Sequence, residues 1–226
     1  MRVRSKLRAQ GVPPRTTPRK LRCGLNRGLV MDLDSRHDRQ RLWGLYEREI
    51  SYIFEQYAQR IKTAVDVGAG DGYYTLYFLA KTSARQVFAF EPSQQAREHV
   101  ESNLRANGLG QDTRLLLSSQ SVGRNSGAET TTLQSISQTI ETPCFIKIDV
   151  EGAEADILAG AGPVLEQPEV VWLIETHSLR LEEECEYWLT QRRYETVIVP
   201  NAWWRAIVPE LRPIPHNRWL FARMRT

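Results

Sequence analysis

Three observations predict a doubly wound α/β fold, with a mostly parallel sheet and helices on both faces. Short apolar runs alternate along the chain with amphipathic stretches of helical period. A glycine cluster, Gly68, Gly70 and Gly72, follows one such run and opens a helical segment, where the main chain has to turn tightly. A length of 226 residues, 41% hydrophobic and 25% charged, suits one sizeable core better than two.

Residues 1–30 read as a basic N-terminal extension and 31–226 as a single domain. Eight lysines and arginines fall in the first 22 residues with no acid among them, so the remaining chain has 22 basic and 27 acidic side chains, a net charge of −5. The stretch "GVPPRTTPRK" has prolines and no apolar periodicity, which predicts an extended, disordered arm. Such an arm is either a solvated tail or a contact for nucleic acid or another anionic surface. No apolar run reaches the length of a membrane span, and the N-terminus lacks the apolar stretch of a secretory signal. Cys23, Cys144 and Cys185 are odd in number and show no metal-binding spacing, so free thiols and a cytoplasmic location are expected.

From Leu42 onward Tyr46, Ile50, Ile53, Phe54, Tyr57 and Ile61 form one stripe, predicting a helix. "TAVDV" (63–67) is the first sheet strand, and the glycine turn leads into a helix ending near Lys81. "QVFAF" (86–90) is the second strand; Ser93 caps a helix that exits at Asn107 and Gly108. "TRLLLS" (113–118) is the third, followed by a polar, serine- and threonine-rich connector to residue 142. "CFIKID" (144–149) is a fourth strand, nearly continuous in apolar character but interrupted by Lys147. A short helix over 154–161, the strand "EVVWLIE", a helix over 179–189, "YETVIV" from 194 and "RWLFAR" (218–223) complete the pattern. No helical segment separates the last two strands, so the final one is expected to run antiparallel.

The turn reads G-x-G-x-G, one residue short of the dinucleotide-binding spacing, and Asp66 lies two positions before its first glycine. A carboxylate there sits awkwardly beside a pyrophosphate and suits a ligand bearing an ammonium group. Glu91, at the end of the second strand, is placed to accept both hydroxyls of a ribose.

"VDVGAGDGYYTLYF", "FAFEPSQQAREHVESNLRANG", "FIKIDVEGAEADILAGAG", "IETH" and "NRWLF" together resemble, in order and spacing, the FkbM-type S-adenosylmethionine-dependent methyltransferases, over about residues 42–222. The resemblance implies a Rossmann-like class I methyltransferase fold with a seven-stranded, mostly parallel sheet and an antiparallel last strand. It also implies a cofactor site made of Asp66, Gly68, Ala69, Gly70, Tyr74 or Thr75, Glu91, Pro92, Ser119 and Asp149. The chain departs from the family at Gly70, where asparagine is usual, near Gln134, where an acid is usual, and in a short connector between the third and fourth strands.

The catalytic candidates are Lys147, Asp149, Glu151, Glu175 and His177, on the tips of two strands that neighbour each other in this architecture. Strand alternation puts Phe145, Lys147 and Asp149 on one side, so Lys147 and Asp149 form either catalytic groups or a structural pair. His177 is the candidate base for an acceptor hydroxyl. Oxygen-bearing tips are also compatible with Mg2+. Glu154 and Asp156 are expected only to face the positive end of the helix they begin, and His37, His99 and His216 to lie on the surface or in loops.

These readings imply an O-methyltransferase acting on a hydroxyl of a small molecule, such as a sugar or secondary metabolite. The alternatives are a nucleic-acid methyltransferase using the basic arm, disfavoured by the acidic balance of the rest, and a non-catalytic methyltransferase-like binding module. The sequence specifies no oligomeric state.

Overall fold

The computed structural model describes residues 16–206 and 216–225. The first described residues form an antiparallel ribbon, β1 (Thr17–Lys20) on β2 (Val30–Leu33). Residues 16–30 therefore correct the expectation of an extended arm. Leu21 and Met31 are buried, and the Asn103 and Asn107 side chains bond the backbone of Asp32 and Val30. The basic composition masked a short alternating pattern in which Met31 and Leu33 point inward. The rest of that expectation, residues 1–15, lies outside the described residues.

Next come α1 (Arg39–Trp43), a 3₁₀ turn at Arg48–Ile50 and α2 (Ser51–Tyr57), where one helix was expected. The break is at Gly44, which closes α1 at φ +67°, in such close quarters that a Cβ there would lie 2.4 Å from that of Cys23. The apolar stripe is real, since Ile50, Ile53, Phe54 and Ile61 are all buried, but two short elements deliver it.

The remaining elements follow the predicted alternation: β3 (Thr63–Val67), α3 (Tyr73–Lys81), β4 (Gln86–Phe90), α4 (Gln94–Ala106), β5 (Leu115–Ser118), a minor pair β6 (Ser121–Val122) and β7 (Thr130–Thr131), β8 (Cys144–Ile148), α5 (Glu154–Ala159), β9 (Val170–Thr176), α6 (Leu179–Thr190), β10 (Tyr194–Val199) and β11 (Arg218–Met224). Ser93 caps α4 as read, its side chain accepting from the Ala96 N–H. The polar connector before β8 is better packed than its composition suggests, burying Val122, Leu133 and Ile140.

Seven strands form one sheet in the order β10-β11-β9-β8-β3-β4-β5. Pairings from β9 to β5 are parallel, and β11 is antiparallel to both of its neighbours, as the missing crossover helix predicted. Phe145 packs with Phe54, Phe78 and Tyr74 on one face, while Ile146, Ile148, Trp172 and Ile174 pack with Ile157, Leu158, Cys185 and Leu189 on the other. Each fully buried Leu, Ile or Phe contributes about 1.5–3 kcal/mol. Alternation along β8 sends Lys147 to the Phe145 face, where a strand buried on both sides has little room for a charge.

Candidate active site

The parallel strands end in register, with Val67 opposite Phe90 and Ile148, and Ile148 opposite Ile174. Residues following those four positions therefore share one edge of the sheet, where ligands bind in open α/β folds.

The glycine turn is fastened to this edge by its own N–H groups. Gly68 and Ala69 both donate to Phe90 O, at 2.9 and 3.1 Å, Gly70 donates to Glu91 Oε2 at 2.8 Å, and Gly72 donates to Ala69 O at 2.9 Å. The other Glu91 oxygen accepts from the Ser93 N–H at 2.9 Å. Gly68, at φ +77°, is required by protein rather than by ligand: a Cβ there would stand 1.9 Å from the Asp149 carbonyl oxygen. Gly70 is half-buried, and Pro92 and Ser119 are exposed beyond the ends of β4 and β5.

Asp66 is fully buried. Its carboxylate accepts from Thr75 Oγ1 at 2.7 Å and pairs with Lys147 Nζ at 3.2 Å. Lys147 also reaches Asp149 Oδ2 at 3.5 Å and Gly68 O at 3.2 Å, and its ammonium lies 5.0 Å from the centre of the Tyr74 ring. The Tyr74 hydroxyl donates to Glu47. Tyr74 and Thr75 are thus interior residues of α3 that organise charges from beneath.

At the tips of β8 and β9, Asp149, Glu175 and His177 converge. His177 Nε2 lies 3.5 Å from Glu175 Oε2 and 3.9 Å from Asp149 Oδ1, and Nδ1 is 2.6 Å from Glu154 Oε1. Burial, then the charge and hydrogen bond of Asp149, then the charge of Glu47 push the Glu175 carboxyl well above its ordinary range, with Lys147 opposing. The raised Glu175 carboxyl favours a proton shared with Asp149. Glu151 is exposed on the turn beyond Asp149.

Sequence reasoning missed Glu154 and Glu47. Glu154, expected to decorate a helix end, is completely buried on His177. The signal was present, since Glu154, Ile157 and Leu158 share one i, i+3, i+4 stripe and Ile157 and Leu158 are core. Glu47 reaches the site through the break at Gly44, which a continuous helical stripe did not foretell.

Asp149, Glu175 and His177 each offer a ligand atom within 4.8 Å of the others, so they could hold a cation. One imidazole nitrogen among two carboxylates departs from the all-oxygen shell that magnesium takes, and the set lends that expectation no support.

Residues 114–196 match the family model of the methyltransferase FkbM domain. Solved structures share the fold. A methyltransferase FkbM from Methylobacillus flagellatus aligns at 19% identity and TM-score 0.54, covering 71% of this chain and 43% of that one, so this chain spans less than half the length of that protein. An S-adenosylmethionine-dependent O-methyltransferase from Thermotoga maritima aligns at 16% identity and TM-score 0.51, covering 80% and 66%. A Streptococcus pneumoniae protein named as a tRNA (m1A22) methyltransferase, solved with S-adenosyl-L-methionine, aligns at 13% and 0.51, covering 80% and 75%. No curated protein matches the chain significantly in sequence. Among the described residues no helix is long and apolar enough to cross a membrane.

Sheet order and the place of the glycine turn are those of the Rossmann-like fold these solved structures share. The segment similar to the FkbM domain model, residues 114–196, carries Asp149, Glu154, Glu175 and His177.

Proposed function

We propose that the protein transfers the methyl group of S-adenosylmethionine to a hydroxyl of a small molecule, a sugar or secondary metabolite. The observation that carries this reading is His177 Nε2, buried at the strand tips and facing two carboxylates while Nδ1 is anchored elsewhere.

The residues fit the cofactor. Each Glu91 oxygen accepts one N–H and keeps acceptor capacity for a ribose hydroxyl, beside exposed Pro92 and Ser119. Gly68, Ala69 and Gly70 form the adjoining turn, and Asp66 sets its charge through Thr75 and Lys147. When bound, the cofactor supplies a methyl carbon on a positively charged sulfur. His177 Nε2 would take the proton of the acceptor hydroxyl as the hydroxyl oxygen accepts the methyl group, the sulfur keeping the electron pair, and the imidazolium would then yield that proton to water. Asp149 and Glu175 orient the hydroxyl. Lys147 keeps Asp149 in place, so the main contribution of the site is alignment. Cys144 and Cys185 are buried free thiols, which supports a reducing, cytoplasmic setting as part of the same proposal.

Labelled-methyl transfer tests the reading, with polyhydroxylated metabolites set beside RNA and DNA. Label on the oxygen of a small molecule, retained after exhaustive chelation, is expected. Label confined to nucleic acid, or loss of transfer with chelation, would overturn the acceptor class or the metal-independent base respectively.

A further inference from the structure

We propose that Glu154 is a positioning residue for methyl transfer: by accepting the Nδ1 proton of His177 it holds the imidazole in the tautomer whose Nε2 lone pair faces the strand tips. The proposal rests on the reading of His177 as the base.

The bond joins the first residue of α5 to the residue following β9. An ionised carboxylate only accepts, so with Glu154 charged the 2.6 Å contact to its Oε1 puts the hydrogen on Nδ1. A neutral imidazole has one such hydrogen, which leaves Nε2 bare. Nε2 is buried and makes no hydrogen bond, although Glu175 Oε2 is 3.5 Å away. The other Glu154 oxygen, Oε2, is likewise buried without a hydrogen bond. A buried acid whose hydrogen bond goes to one imidazole is a poor way merely to join a helix to a strand. Apolar contacts such as those of Ile157 and Leu158 do that without desolvating a charge.

The surroundings are consistent with an imidazole that gains a proton during turnover. Glu154 faces it from α5, Asp149 from the end of β8 with Lys147 behind, and Glu175 from β9 with Glu47 beyond. Cys185 of α6 lies near Glu154, and burial first, then the Glu154 charge, pushes that thiol up. A positive charge on His177 is thus met from three elements, while Glu154 fixes which nitrogen receives the proton.

The test uses full-length protein, with E154Q, H177A and the double variant made in parallel. Nitrogen NMR of the wild-type imidazole should show hydrogen on Nδ1 and a bare Nε2; the reverse would overturn the proposal without any variant. A glutamine amide can donate to Nδ1 and drive the hydrogen to Nε2. E154Q should therefore show the switched tautomer and lose about 10²–10⁴-fold in labelled-methyl transfer to a methyl glycoside mixture, with cofactor affinity within about twofold. The double variant should be no slower than H177A. An inactive H177A beside a fully active E154Q would reject the role of Glu154 alone. A fully active H177A would instead reject the base on which it depends.

Discussion

Lys147 Nζ stands 3.2 Å from Asp66 Oδ1 and 3.5 Å from Asp149 Oδ2, so one buried ammonium joins the strand before the glycine turn to the tip of its neighbour β8. Replacing it by methionine keeps the volume and leaves two interior carboxylates without that cation. K147M should lose about 3–5 kcal/mol of stability, as removal of one partner from a buried pair does. Chemical denaturation reads this directly, and a variant as stable as wild type would show the pair to be dispensable.

Gly68 is pressed against the Asp149 carbonyl. G68A has to move either the turn or the β8 tip, and it places a side chain at φ +77°. A loss of about 3–5 kcal/mol is expected, with cofactor affinity falling as well, because turn and tip shift together. Native stability with affinity alone impaired would mean that the turn yields without disturbing β8.

Glu91 fixes Gly70 and Ser93 through their N–H groups. Hydrogen bonds to a charged group are worth about 1.5–3 kcal/mol each, so E91A should weaken cofactor binding at least ~10-fold. Titration calorimetry with the demethylated cofactor measures it. Undiminished affinity would remove Glu91 from the cofactor site.

Glu175 predicts a pH dependence of stability. An acid raised in the native state supports the fold fully below its ordinary value of 4.5, and that support is lost as pH climbs toward the native value, because the unfolded chain ionises first. E175Q has no such proton and can still donate to Asp149. Its melting temperature should gain on wild type as pH rises from 4.5, each unit of pH within that window being worth about 1.4 kcal/mol. Parallel melting curves across that range would contradict the shared proton.

The sheet and its order of elements were legible because each strand is a compact apolar run bounded by glycine, proline or polar residues, and β3 and β8 are buried from end to end. Asp149, Glu175 and His177 were legible as strand-end positions, Asp66 and Lys147 as charged residues within strands, and the sheet gathers all five. What failed was local. Gly44 interrupted a helical stripe that looked continuous, and the ribbon of residues 16–33 hid behind its arginines and lysines. Glu154 was misread because its charge was weighed and its periodic partners Ile157 and Leu158 were not. Glu47 could be found only in three dimensions, since it meets Tyr74 across a chain reversal.

Strand β11 lies between β9 and β10, so Val199, Trp219 and Glu175 stand side by side, and Glu182 clasps Thr176, His216 and Arg218 just beyond. The chain therefore leaves β10 and re-enters at β11 on the same edge of the sheet as Glu175. Under the proposed function, exchange of this one segment between related chains would test whether acceptor preference is set at that edge.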